Sequence, residues 1–316
     1  MTSFFDIKDL SKKDLERIID DSIDIKKNGC DKILKNKNVL MIFEKPSLRT
    51  RISFEVCIND LGGNSLILNS NEFKFGERES IHDSTKVLDR YVDFIIIRSF
   101  EHSILNKVES NFSKPIINAL TNHSHPCQVI ADLVTFKEKF GEFKNKKVSW
   151  FGDYNNVTQS WVEAAALLDM NFSIACPSEV SVSKNTIKWL VQKNKHLVIS
   201  DNVNDIAKNS DCIMTDTWIS MGDKKDKSVD HFKPFQVNSN VMSLAKKDVI
   251  FMHCLPAYRG MEVTDEVIDS KMSVVFDQAE NRVHAQKSII KHCCSCLLYT
   301  SPSPRDQRGS RMPSSA

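Results

Sequence analysis

The feature that most constrains this chain is an alternation. Short apolar runs are followed, again and again, by a polar loop and then by apolar positions at helical spacing. Runs bounded in this way read as buried strands, and a repeated strand–loop–helix unit sets each strand parallel to its neighbours. In the first half the strands are expected at 39–43, 65–68, 94–97 and 115–120. Between them come helices over 47–61, 80–92 and 129–140, the last stopped by Gly141; an earlier helix is capped at Ser11 and carries Leu15, Ile18, Ile19 and Ile23. The charged stretch 142–147 interrupts the pattern, which then restarts. Strands are expected at 148–151, 172–176, 197–199, 211–215, 249–253 and 274–276, helices near 158–170, 183–195, 203–209, 234–246 and 264–270, and a closing helix at 279–290. The fold class is therefore α/β: two domains, each a central parallel sheet flanked by helices, with the active site in the cleft between them. The domains are expected at 1–145 and 146–278, with 279–291 a C-terminal helix packing back towards the first. Residues 292–316 are rich in Pro, Arg and Ser and read as a disordered, non-native tail.

Composition narrows the function classes. The 316 residues carry a formal charge of +2, which becomes −1 when the four cations and one acid of 291–316 are set aside. A near-neutral body has no electrostatic footprint for nucleic acid or an anionic membrane, and no apolar run is long enough to span a bilayer. Nine cysteines, an odd number without framework spacing, point to a reducing compartment. The first residues lack a signal or transit pattern, so the reading is a cytoplasmic protein.

In open parallel sheets ligands bind beyond the carboxyl ends of the strands, so the polar residues expected there are the candidates. Ser47-Leu48-Arg49-Thr50-Arg51 opens a helix, where free N–H groups and a forked guanidinium suit a phosphate; the alternative is a capped helix with surface arginines. Arg98 ends an apolar strand. His125 and Gln128 flank Pro126-Cys127 at a strand-to-helix junction, where an imidazole and an amide can hold a carbonyl and an NH₂ group, or serve as a cap. Gly152-Asp153-Tyr154-Asn155-Asn156 stands where a dinucleotide fingerprint would stand and is not one, which counts against a nucleotide-dependent dehydrogenase. Asp216 with Ser220-Met221-Gly222 offers a carboxylate, a hydroxyl and backbone N–H groups for an amino acid. Cys254 follows the strand at 249–253, available as thiolate, hydrogen-bond partner or inert packing residue, and Arg282 opens the last helix.

Five of these segments, in order, resemble the ornithine carbamoyltransferase family within the wider aspartate/ornithine transcarbamylases. They are Phe43-Glu44-Lys45-Pro46-Ser47-Leu48-Arg49-Thr50-Arg51, His125-Pro126-Cys127-Gln128, Asp216-Thr217-Trp218-Ile219-Ser220-Met221-Gly222, His253-Cys254-Leu255-Pro256 and Ala279-Glu280-Asn281-Arg282-Val283-His284-Ala285-Gln286-Lys287. The resemblance implies transfer of a carbamoyl group from carbamoyl phosphate to the δ-amine of L-ornithine, giving L-citrulline and phosphate, in arginine synthesis or in catabolic reverse. It implies no cofactor and no metal. By similarity, Ser47, Leu48, Arg49 and Thr50 bind the phosphate, and Arg98, His125, Gln128, Cys254, Leu255 and Arg282 hold the carbamoyl portion. Arg98, His125, Cys254 and Arg282 are the expected catalytic residues. Asn156, Asp216, Ser220 and Met221 hold ornithine.

The family's members are homotrimers in which a neighbour contributes a loop, matching residues 69–80 here. Lys74 is thus the expected intersubunit residue, where many members carry glutamine. Leu48 stands where the family commonly has threonine, and it leans towards the N-acetylornithine branch; putrescine and aspartate transcarbamylases are the other neighbours. An inactive paralogue is a reading from another class, and the presence of Arg49, Arg98, His125 and Cys254 weighs against it.

Overall fold

The structure is a computed structural model and describes residues 2–180, 182–193, 195, 197–219 and 229–298. Its strands form two wholly parallel sheets. The first comprises β1 (Asn38–Phe43), β2 (Asn64–Asn69), β3 (Phe94–Arg98) and β4 (Ile116–Leu120), ordered β2-β1-β3-β4. The second comprises β5 (Lys147–Phe151), β6 (Asn171–Ala175), β7 (Val198–Ser200), β8 (Cys212–Thr215) and β9 (Ile250–His253), ordered β7-β6-β5-β8-β9. The helices are α1 (Lys12–Asn28), α2 (Leu48–Asp60), α3 (Ile81–Tyr91), α4 (Ser103–Glu109), α5 (Pro126–Phe140), α6 (Asn156–Leu168), α7 (Lys184–Gln192), α8 (Val203–Ala207), α9 (Ser239–Ser243), α10 (Asp265–Ile268) and α11 (Val275–Leu298).

Local chemistry sets several of these boundaries. Ser11, Ser47 and Ser80 each accept a backbone N–H three residues on, and Asn155 accepts those of Val157 and Thr158, so α1, α2, α3 and α6 begin on side-chain caps. Strands β1, β3, β4, β5, β8 and β9 are buried almost throughout, as apolar runs covered on both faces must be, although β4 and β9 stand at the ends of their sheets. A single apolar cluster runs through both sheets. It includes Met41 and Ile96 from one, Val148 and Met214 from the other, and Phe136, Trp161 and Ile289 from the helices between them. Helix α11 packs on α5, α1 and α2 and so returns the chain to the first sheet.

Four expectations are corrected. Residues 274–276 are not a strand: Val274 N–H bonds Phe251 O at 3.0 Å, and the chain then turns directly into α11. The single helix over 234–246 is two pieces, a 3₁₀ turn Asp230–Phe235 and α9, because Pro234 donates no hydrogen bond and Asn238 caps anew. The closing helix begins earlier and ends later than 279–290. Its last turns are anchored by buried Cys293 and by an Arg17–His292 contact of 2.8 Å, so the tail cannot begin at 292; residues 299–316 lie outside the described residues. Helix α4, short and flanked by polar turns, was not expected at all.

Candidate active site

In each sheet the strand order reverses once, between β1 and β3 and between β5 and β8, and at such points the loops diverge and leave a crevice. Register brings the strand ends level. Phe43 lies opposite Arg98, and Phe151, Thr215 and His253 stand in one row, so Gly152, Asp216 and Cys254 leave the second sheet together. Gly152 adopts a φ of +110°, and a Cβ there would lie 3.2 Å from the Trp218 ring, so only glycine fits this exit. Between the two sets of strand ends lies a cleft of about 980 Å³.

Its walls carry Ser47, Leu48, Arg49, Thr50, Arg98, His125, Gln128, Asn156, Asp216, Cys254, Leu255 and Arg282, all singled out from the sequence. Ser220 and Met221 lie outside the described residues. Lys74 is not on the wall; half exposed, it pairs with Glu77 at 3.7 Å.

One end of the cleft is cationic. Arg98 Nη1 and Arg282 Nη2 both donate to Thr50 Oγ1, at 3.3 and 2.8 Å, and Arg282 Nη1 donates to Gln128 Oε1 at 3.0 Å. Both guanidinium groups are buried, and among the described residues neither is in a salt bridge. Burial, with each other's charge, lowers the pKa of Arg98 to about 10. Arg49 stands beside them on α2, and Lys45, buried, sits 4.4 Å over the Phe100 ring and donates to Asn122. Each Arg98 and Arg282 side chain keeps a buried Nε–H without a protein acceptor, and buried His125 keeps an unpartnered Nδ1. Burying like charges without counter-ions is costly, and an anion entering this end would relieve that cost. Burial and the nearby Arg282, Arg98 and Lys45 hold His125 well below the ordinary imidazole range, so it stands neutral, with one N–H to give.

The other end is anionic. Asp216 Oδ2 accepts from Asn155 Nδ2 at 2.8 Å, while Oδ1 accepts from Thr217 N at 2.8 Å and from Cys254 Sγ at 3.1 Å. Burial and the Asp216 charge push the Cys254 thiol well above its usual value, so of the roles open to it Cys254 is a hydrogen-bond donor and not a thiolate. Asn156 Nδ2 donates to Thr121 O at 2.6 Å, tying the first turn of α6 to the β4 side of the cleft.

Among the described residues, two clusters bring metal-type atoms within 4.8 Å of one another: Asp216 with His253 and Cys254, and Asp6 with His123 and Glu163. Both His253 ring nitrogens are already engaged, Nδ1 by Leu255 N–H at 2.9 Å and Nε2 by Glu262 at 3.2 Å, and Asp6 is bonded by Lys8, His102 and Ser124.

Lys45 and Tyr154 also line the cleft without having been singled out as site residues, and Asn155 lines it beside Asn156. Beneath it lies Asp132, fully buried, whose carboxylate burial pushes up to about 6 against hydrogen bonds from Gln128, Gln278 and Trp161. One helical turn separates it from Gln128, a spacing that by itself marks any polar helix position and did not single it out.

The carbamoyl-P binding domain of the aspartate/ornithine carbamoyltransferases matches residues 2–138, and the Asp/Orn binding domain of the same enzymes matches residues 144–293. The chain belongs to the aspartate/ornithine carbamoyltransferase family. The ornithine carbamoyltransferases of Methanococcus vannielii and Nitrobacter winogradskyi are 48% and 45% identical to it over 293 and 296 residues, covering 90% and 92% of this chain and 96% of each relative. Among solved structures, the ornithine carbamoyltransferase of Pyrococcus furiosus superposes with a TM-score of 0.86 at 39% identity, over 91% of this chain and 95% of that one. The anabolic ornithine carbamoyltransferase of Campylobacter jejuni gives 0.87 at 35%, over 93% and 100%. Arg49, Thr50, Arg98, His125 and Gln128 fall in the stretch matched by the carbamoyl-P binding domain, while Asp216, Cys254 and also Arg282 fall in the stretch matched by the Asp/Orn binding domain.

Proposed function

We propose that the chain is an ornithine carbamoyltransferase, joining the carbamoyl group of carbamoyl phosphate to the δ-amine of L-ornithine with release of L-citrulline and phosphate. The observation that carries this reading is the polarity of one cleft: buried, unpaired guanidinium groups at one end and the Asp216 carboxylate at the other. A dianion suits the first and the ammonium group of an amino acid the second.

Ser47, Leu48, Arg49 and Thr50 take the phosphate, through the free N–H groups at the start of α2 and the Arg49 fork. Leu48 turns its side chain to solvent, 71% exposed, which suits a residue that contributes its N–H. Gln128 and Leu255 hold the carbamoyl NH₂, while Arg98, His125 and Thr50 surround the carbonyl oxygen that becomes negative as the neutral amine attacks. A C–N bond forms, the C–O bond to phosphate breaks, and the amine proton leaves on the phosphate. Asn156 and Asp216, with Ser220 and Met221, hold ornithine, and Cys254 orients Asp216 by its hydrogen bond. Arg282 joins the two ends of the donor site through Thr50 and Gln128.

We place the boundary between the two halves near residue 145, in the turn between α5 and β5, and α11 with the first half. The working unit is a homotrimer in the cytoplasm, with Lys74 reaching a neighbour's cleft. Leu48, Ile52 and Val56 support it by forming an exposed apolar stripe along α2, and among the described residues no helix is long and apolar enough to cross a membrane.

The test is citrulline formation from carbamoyl phosphate and ornithine, beside parallel reactions with putrescine, N-acetylornithine and aspartate. Turnover confined to ornithine is the expected result. Turnover with another amine keeps the phosphate end and overturns the Asp216 end.

A further inference from the structure

One carboxylate beneath the cleft ties together elements distant in sequence. Asp132, on α5 and wholly buried, accepts at Oδ1 from Gln128 Nε2 (2.8 Å) and from Gln278 Nε2 (2.7 Å), and at Oδ2 from Trp161 Nε1 (2.9 Å). The far sides of the two glutamines meet donors. Gln128 Oε1 accepts from Arg282 Nη1 at 3.0 Å, and Gln278 Oε1 accepts from the His253 backbone N–H at 3.0 Å, one residue before Cys254.

A primary amide has two nearly equal ends, and nothing in the side chain itself decides which faces a substrate. Here the neighbours decide. An ionised carboxylate only accepts; a guanidinium and a backbone N–H only donate. Turning Gln128 over would set its NH₂ against Arg282 and its oxygen against Asp132, two mismatches among buried side chains, where each unmet group is costly. Asp132 lies behind the cleft wall and touches no substrate position.

We propose that Asp132 is the positioning residue for carbamoyl recognition: it fixes the direction of the Gln128 amide, so that the oxygen, and not the NH₂, faces the NH₂ of the carbamoyl group. Through Gln278 it also holds the end of β9 that carries Cys254 and Leu255. This rests on the reading of the cleft given above.

A merely structural carboxylate would be needed for stability alone, so the test is a reversal of sign in catalysis. Asp132→Leu keeps the branched shape, with somewhat larger branches, and removes the acceptors; kcat/KM for carbamoyl phosphate is expected to fall about 10- to 100-fold. Gln128→Glu alone sets two carboxylates face to face and is also expected to lower it. Glutamate, however, accepts through either oxygen and needs no orienting. Added to the Asp132→Leu background, the same Gln128→Glu change is therefore expected to raise kcat/KM at least about fivefold, restoring the buried negative charge one turn away. Further loss in that background overturns the proposal.

Should Asp132→Leu fail to fold, Asp132→Asn serves. An asparagine can keep its oxygen on both glutamines only by setting its NH₂ against the Trp161 N–H, so adding Trp161→Phe is expected to increase kcat/KM over Asp132→Asn alone, and no gain overturns the proposal. Absence of citrulline formation by the unsubstituted protein overturns the cleft reading itself; activity there without these rescues overturns only the role of Asp132.

Discussion

At the scale of single residues, the cleft is a place where stability has been given up. Arg98 and Arg282 share one hydroxyl, with no salt bridge to either among the described residues. Replacing a buried charge that lacks a counter-ion with an apolar side chain of similar reach removes a desolvation cost, while removing it from an anion site removes the binding. Arg282→Met is therefore expected to leave the melting temperature of the unliganded protein unchanged or higher, and to lower kcat/KM for carbamoyl phosphate by about 10³-fold or more, of the order of a buried charge-assisted contact. Calorimetry and steady-state kinetics on one preparation check both, and a large loss of stability without ligand would contradict the account. The residues that touch the cleft were legible in the sequence because each stands just after an apolar strand or at a helix start. Asp132 was not. Four positions beyond Gln128 it reads as a polar residue of an amphipathic helix, and its role exists only once Gln278, 146 residues away, is folded against it.

At the scale of elements, legibility followed burial. Strands covered on both faces have to be apolar throughout, and β1, β3, β4, β5, β8 and β9 announce themselves in the chain. The same rule misleads at 274–276, where Val274 and Val275 are buried at the entry to α11 but Phe276, on its first turn, is turned out to solvent. Periodicity alone could not show that Pro234 and Asn238 divide one expected helix into a 3₁₀ turn and α9. Helix α2 carries a different message. Its inner face holds Thr50, Ser53, Phe54, Cys57 and Ile58 against the core, yet Leu48, Ile52 and Val56, at 71%, 49% and 42% exposure, line its outer face at steps of four. A stripe of that kind, beside exposed Leu66 on the edge strand β2, asks for a covering surface, and the proposed trimer would supply one. Ile52→Glu at its centre is expected to convert a trimer into monomers by light scattering and to lower activity about tenfold or more, because Lys74 would no longer meet a neighbour's cleft. A fully active monomer, in the variant or in the unsubstituted protein, would contradict the proposed assembly.

At the scale of the whole molecule, the two sheets are joined by an apolar core and also by a charged clasp. Residues 6–8, which belong with the first sheet, reach α6 of the second: Lys8 N–H donates to Glu163 Oε2 at 3.1 Å, and Lys8 Nζ lies 3.2 Å from Asp6 and 3.8 Å from Glu163. Burial, and then the Asp6 charge, push Glu163 up to about 7 despite its bonds to Gln159 and Lys8. Burial opposes Asp6 too, but hydrogen bonds from His102 and Ser124 hold that carboxyl well below its ordinary range. The two acids therefore act in separate pH windows. For Glu163 the native state keeps a proton that the unfolded chain, titrating near 4.5, has already released. Its contribution is fully present below about 4.5, declines as pH rises to about 7, and is level above that, a change of about 3 kcal/mol. Asp6 works in the opposite sense, its contribution being present above the ordinary carboxylate range and lost only in stronger acid. Because the clasp grips the helix whose first residue, Asn156, reaches across to Thr121, what it costs is borne by the joint that the cleft depends on. Denaturant unfolding from pH 5 to 8 is expected to show the unsubstituted protein losing stability across that range, with Asp132, raised by burial to about 6, acting in the same sense, and Glu163→Gln is expected to remove the Glu163 share and so make the slope shallower. A Glu163→Gln protein with the same slope would mean that another group titrates there and that Glu163 is ionised throughout.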